Sequence, residues 1–137
     1  MNAEPSQVLR TVAERLRQDY AQFPAHQSYD LYAADVQFED PLNRFQGVQK
    51  YQKMIGFIDR WFIDPTLDLH ELICHDPDQI QTHWTLSWVA PLPWKPGIAI
   101  SGWTDYRLNA EGQICAHIDH WHCSRLDVLK QVLAPRR

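Results

Sequence analysis

The chain predicts an α+β fold, with helices first, a meander of antiparallel strands after them, and a short helix at the end. Three observations carry this. Apolar residues recur at helical spacing up to residue 62, the period changes to two from residue 66 to 122, and turn residues divide that second region into four strands. Helices followed by strands in this way imply helices packed on one face of a curved sheet. At 137 residues one domain spanning 1–137 is expected, large enough to bury about two-thirds of its unfolded surface without disulfides or a metal.

Residues 5 to 23 place Val8, Leu9, Val12, Leu16, Tyr20 and Phe23 on one side and Arg10, Glu14, Arg17 and Gln18 on the other, a helix started by Pro5 and ended by Pro24. Ser28 is positioned to cap a second, shorter helix with Tyr29, Tyr32 and Ala33 on its apolar side. A short strand then runs to Asp40-Pro41, where the proline pushes Asp40 toward an extended backbone. Gly47 opens a third helix, in which Met54, Phe57 and Trp61 widen the apolar face of Val48, Tyr51, Ile55, Ile58 and Phe62; Pro65 is expected to end it. The strands are read at residues 66–75, 79–90, 98–109 and 113–122, the last two joined by a turn at Glu111-Gly112. Ser124 with Asp127 resembles a capping box before a final helix carrying Leu126, Leu129, Val132 and Leu133.

Composition excludes some partners. A net charge of -4, with 13 basic residues scattered along the chain, argues against nucleic acid. Three cysteines, Cys74, Cys115 and Cys123, form an odd set without Cys-x-x-Cys spacing, which fits free thiols in a reducing compartment. With no basic, apolar leader and no run near the roughly 20 apolar residues of a membrane span, a cytoplasmic chain without a membrane partner is expected.

The arrangement resembles the nuclear transport factor 2-like superfamily, with its ketosteroid isomerase and SnoaL-like polyketide cyclase branches. Leu31-Tyr32-Ala33-Ala34-Asp35 followed by Phe38-Glu39-Asp40-Pro41, Gly47 at the third helix, and Arg107-Leu108 with Glu111-Gly112-Gln113-Ile114 leading to Trp121 carry the resemblance over nearly the whole length. The chain is also similar to an uncharacterised branch of that superfamily from photosynthetic organisms. The resemblance implies a cone-shaped, strongly curved antiparallel sheet against three N-terminal helices, with a pocket between them, and a homodimer through the outer sheet face. It implies Asp40 as a general base, an oxyanion-stabilising tyrosine on the first helix, where Tyr20 is nearest, and a proton-sharing acid on the third long strand. That last position is Ser101, which cannot be a carboxylic acid.

A carboxylate in an apolar cone has its charged form disfavoured and becomes a usable base near neutral pH; Asp-Pro is equally turn chemistry, so both readings of Asp40 stand. On the fourth strand, alternation puts Cys115, His117, Asp119 and Trp121 on one face and Ile114, Ala116, Ile118, His120 and His122 on the other. The resemblance places Trp121 in the cavity, bringing His117 and Asp119 with it, near Trp103 and Asp105 of the paired strand. A His-Asp pair there either relays a proton or is a satisfied buried cluster. His120, His122 and Cys123 offer two metal-binding residue types without a third ligand at reliable spacing, so a sheet face packing on a second subunit is preferred. Trp84, Leu86 and Trp88 alternate along the second strand and, with Trp61, Trp103 and Trp121, form core or, together with Phe57, ligand-stacking surface. The expected function is an isomerase, dehydratase or cyclase-like enzyme using Asp40 on a small apolar ligand, with no cofactor and no metal; the alternative is a non-catalytic ligand-binding or protein-interaction scaffold.

Overall fold

A computed structural model describes residues 6–134. Helix α1 (Gln7–Gln22) begins where the Ser6 hydroxyl accepts the Leu9 N–H; Pro5, expected at the start, lies outside the described residues. Its buried stripe, Leu9, Val12, Leu16 and Tyr20, follows the 3.6-residue period. A single 3₁₀ turn, Tyr29–Leu31, stands where a second helix was expected. Tyr32 and Ala33 instead open strand β1 (Tyr32–Glu39), because pairing with two neighbouring strands outweighs the local helical pattern. Strand β2 (Arg44–Gln46) folds back on β1, and Gly47, at φ +115°, makes the left-handed bend before helix α2 (Val48–Trp61).

Four strands follow, β3 (Ile63–His75), β4 (Gln79–Val89), β5 (Gly97–Leu108) and β6 (Ile114–Trp121), and then helix α3 (Arg125–Leu133). Pro65 lies inside β3 rather than ending α2, which the sheet tolerates because β3 is an edge strand. The capping box forms as read: Ser124 Oγ accepts the Asp127 N–H, and the Asp127 carboxylate accepts the Ser124 N–H. Gln131 then ties α3 to β5 by bonding both the N–H and the carbonyl of Ala99.

The sheet order is β2-β1-β6-β5-β4-β3, and it is mixed rather than purely antiparallel, since β1 and β6 run parallel with Phe38 opposite His117. The core lies between the sheet and the helices. Leu9, Leu16, Val36, Phe38, Ile80 and Ile114 are essentially sealed from solvent, each contributing about 1.5–3 kcal/mol of apolar burial. The α+β class expected from the sequence is thus the architecture of this chain. No helix among the described residues is long and apolar enough to cross a membrane.

One irregularity decides which residues face inward. Arg107 pairs with Ala116 but Leu108 pairs with Ile114, so β6 carries a bulge at Cys115. Ile114 therefore joins the core on the same side as His117, and not the outer face with Ile118 and His120.

Candidate functional site

The inner face of β5 is set by its even-numbered residues, with Ile98, Ile100, Gly102, Thr104, Tyr106 and Leu108 buried in turn. Antiparallel partners point the same way, so Thr104 faces in beside Asp119 and Tyr106 beside His117. Residues from α1, α2 and α3 close over them, leaving a cavity of about 440 Å³. Its lining is mainly apolar and aromatic, which is the usual make-up of a small-molecule site.

The polar floor of this cavity is one connected network. Trp84 Nε1 donates to Thr104 Oγ1 (2.8 Å), and that hydroxyl donates in turn to Asp119 Oδ1 (2.5 Å). His117 Nε2 lies 3.0 Å from the same Oδ1, which calls for the proton on Nε2 and leaves Nδ1 as an acceptor facing Tyr32 Oη at 3.5 Å. Four rings enclose the imidazole: Phe38, Tyr106 and Tyr51 at centroid distances of 4.9, 4.8 and 5.2 Å, and Tyr32 stacked at 6.2 Å. Asp119 Oδ1 thus holds both bonds, while Oδ2 has no partner among the described residues; the side chain lines the cavity and is 18% exposed.

A second group of hydroxyls sits beside it. Tyr20 Oη bonds Thr82 Oγ1 at 2.8 Å and Tyr106 Oη at 2.7 Å. Burial pushes the Tyr20 phenol up to about 12, with its two hydroxyl partners opposing the shift, and burial raises Tyr32, Tyr51 and Tyr106 further above the ordinary phenol value. All four stay neutral near pH 7, as hydrogen-bonding groups without charge. Asp19, buried on α1, is raised as well, by desolvation that outweighs its bonds from the Ser28 N–H and hydroxyl.

The residues singled out from sequence divide between the two faces of the sheet. His117, Asp119, Tyr20, Trp121, Trp88, Phe57 and Asp40 line the cavity. Ser101, Trp103 and Asp105 do not, because the β5–β6 register turns them to the opposite face. There Ser101 bonds Thr85, Trp103 stacks on the His120 ring at 4.7 Å, and Asp105 meets His120 Nε2 at 3.2 Å and the Gln81 amide at 2.9 Å. Asp40 is at the cavity wall near the exposed Leu42, with its carboxylate turned onto its own loop. Oδ1 accepts the N–H groups of Leu42 (2.8 Å) and Asn43 (2.6 Å), and Asn43 Nδ2 reaches both oxygens.

Thr104, Tyr32, Tyr51 and Tyr106 were not picked out from sequence as site residues. A signal existed for two of them: Ile98, Ile100 and Leu108 share their parity with Thr104 and Tyr106, and three buried aliphatics on one face of a strand fix which way its polar members point.

Solved structures with the same fold share little sequence with the chain. A SnoaL-like polyketide cyclase candidate from Jannaschia sp. CCS1 superposes with a TM-score of 0.77 at 12% identity, covering 98% of this chain and 100% of that one. A hypothetical protein with a ketosteroid isomerase-like fold from Catenulispora acidiphila, solved in complex with trimethylamine, gives 0.69 at 16% identity, with 96% of each chain covered. An LEH-like epoxide hydrolase from M. tuberculosis gives 0.70 at 14% identity, covering 96% of this chain and 92% of that one. At such identities the likeness is one of fold. No curated protein matches the sequence. Residues 10–117 match the family described as "Uncharacterized conserved protein (DUF2358)", and the chain belongs to that family.

Proposed function

We propose that the chain is an acid–base enzyme of the isomerase, lyase or cyclase kind, acting on a small, largely apolar carbonyl compound in the cavity, with Asp119 as the proton acceptor. The observation that carries this is the asymmetry of its carboxylate: Oδ1 is held by Thr104 and His117, and Oδ2 is left to a ligand in an apolar enclosure. A base fixed in this way loses no orientation when it reacts. In the proposed step Oδ2 takes a proton from the carbon beside the carbonyl, and the carbonyl oxygen takes up the enolate charge. The proton is returned at another carbon, or a neighbouring group leaves. Neutral tyrosine hydroxyls in the same cavity are suited to stabilise that oxygen, as the resemblance implied for Tyr20. The resemblance gave the base role to Asp40; with Oδ1 accepting two N–H groups, Asp40 is better matched to shaping the cavity wall.

Deuterium exchange into a panel of cyclic ketones in heavy water, followed by NMR, tests the assignment without knowledge of the natural substrate. Wild-type protein is expected to accelerate exchange, and Asp119→Asn to lower the rate by about 10²–10⁴-fold, the usual worth of a positioned base. Asp40→Asn should change it by less than about tenfold. Wild-type rates from Asp119→Asn would refute the assignment. Saturable ketone binding with no exchange by any variant would leave the ligand-binding scaffold as the function.

A further inference from the structure

The exposed side of α2 carries a feature that the acid–base chemistry does not use. Lys50, Lys53, Phe57, Arg60 and Trp61 are spaced i, i+3, i+7, i+10 and i+11, which gathers them within about 100° of the helix circumference. Phe57 is 58% exposed and Trp61 47%, with the Arg60 guanidinium 5.3 Å from the Trp61 ring centroid. The helix has one acid, Asp59, on its other flank, where its charge acts on Tyr29. In a chain of net charge -4, this is a local patch of opposite sign interleaved with large rings.

The same rings lead into the cavity. Phe57 is 6.5 Å from both Trp61 and Phe62, and Phe62 stacks on Trp88 at 4.5 Å; Phe57, Phe62 and Trp88 line the cavity. Leu42, 64% exposed, lines it as well. Rings left in water at the rim of an apolar cavity serve no purpose for a ligand arriving through water. They suit a ligand that arrives from a bilayer. Cationic side chains flanking aromatic ones on one helical face are the pattern of a helix lying in an anionic lipid interface.

We infer that this face of α2 docks on anionic lipid surfaces, and that the cavity takes its apolar ligand from the bilayer along the Trp61–Phe57–Phe62–Trp88 path. The docking itself is independent of the Asp119 chemistry. Cosedimentation tests it, using phosphatidylcholine vesicles with and without about one-third phosphatidylglycerol. Wild-type protein is expected to bind the anionic vesicles only, and less as salt rises. A cationic side chain near an anionic surface is worth roughly fivefold in partitioning, so Lys53→Glu/Arg60→Glu should weaken binding by at least about 25-fold. Phe57→Ser/Trp61→Ser should weaken it by about tenfold or more. Circular dichroism checks that these surface variants fold, and Asp119→Asn should bind vesicles as wild type does, which separates a failure here from a failure of the catalytic assignment. Equal binding to neutral and anionic vesicles, no binding to either, or wild-type binding by both folded double variants would overturn the inference; in the second case a protein partner becomes the occupant of this face.

Discussion

Replacing Thr104 by Val is the most searching perturbation of the cavity floor. The substitution nearly keeps the side-chain shape but removes a hydroxyl that accepts from Trp84 Nε1 and donates to Asp119 Oδ1. The indole N–H, on a residue only 6% exposed, then lacks an acceptor, at a cost of about 1–3 kcal/mol. The carboxylate loses a charge-assisted bond worth about 1.5–3 kcal/mol, part of which water recovers because Asp119 is not fully sealed. A loss of about 2–4 kcal/mol is expected in urea unfolding followed by circular dichroism. Trp84→Phe removes the orphaned donor, so Thr104→Val should cost about 1–2 kcal/mol less in that background. A loss under about 0.5 kcal/mol, or strict additivity of the two substitutions, would show that the Trp84–Thr104–Asp119 chain is not an energetic unit.

Two further outcomes follow from the packing. Burial is the leading cause of an upward shift at Tyr20, Tyr32, Tyr51 and Tyr106, so alkaline absorbance titration should show these four still protonated at the ordinary value of 10.0 in the folded chain, with half-buried Tyr29 ionising before them. A folded value raised above the unfolded one gives stability that is complete below about 10 and is lost as pH rises through about 12 for Tyr20, with the more strongly shifted phenols extending the loss; phenolate from these four and unfolding should therefore appear together, and reversible ionisation of more than one tyrosine at 10 with unchanged circular dichroism would contradict the buried cluster. Gly102→Ala would drive a methyl group into the His120 carbonyl and to 3.2 Å from the Trp84 ring; a destabilisation of about 3 kcal/mol or more is expected in thermal melts, and a wild-type melting temperature would refute the β5–β6 register.

Much of the fold was legible because its signals are local. The period of α1 and α2, Gly47 before α2, and the Ser124–Asp127 capping box each act within a few residues, and each forms at or near its expected place. The 3₁₀ turn and the start of β1 were misread because Tyr32 pairs with Ile114, more than 80 residues away, and nothing near Tyr32 announces that partner. Site geometry was less legible for a related reason. The resemblance put Ser101, Trp103 and Asp105 at the cavity with His117, whereas the β5–β6 register turns them to the opposite face. The bulge at Cys115 shifts the phase of β6 by one residue, and a bulge has no composition of its own. Asp40 was open to two readings for a third reason, since its neighbours Leu42 and Asn43 supply the N–H groups that occupy it, and whether a loop turns back on its own carboxylate is decided by tertiary packing.

The position of β6 has a consequence for how the protein comes into being. β6, the last strand among the described residues, lies between β1 and β5, so until it is made those two strands present unpaired edges to solvent. His117 and Asp119 arrive with that strand, and Thr104 and Tyr32, waiting on either side, gain their partners only as it inserts. The cavity floor is therefore a product of the final, most long-range step of assembly. A chain halted before residue 114 is a sheet in two open halves, exposed to aggregation, rather than a smaller version of the same pocket.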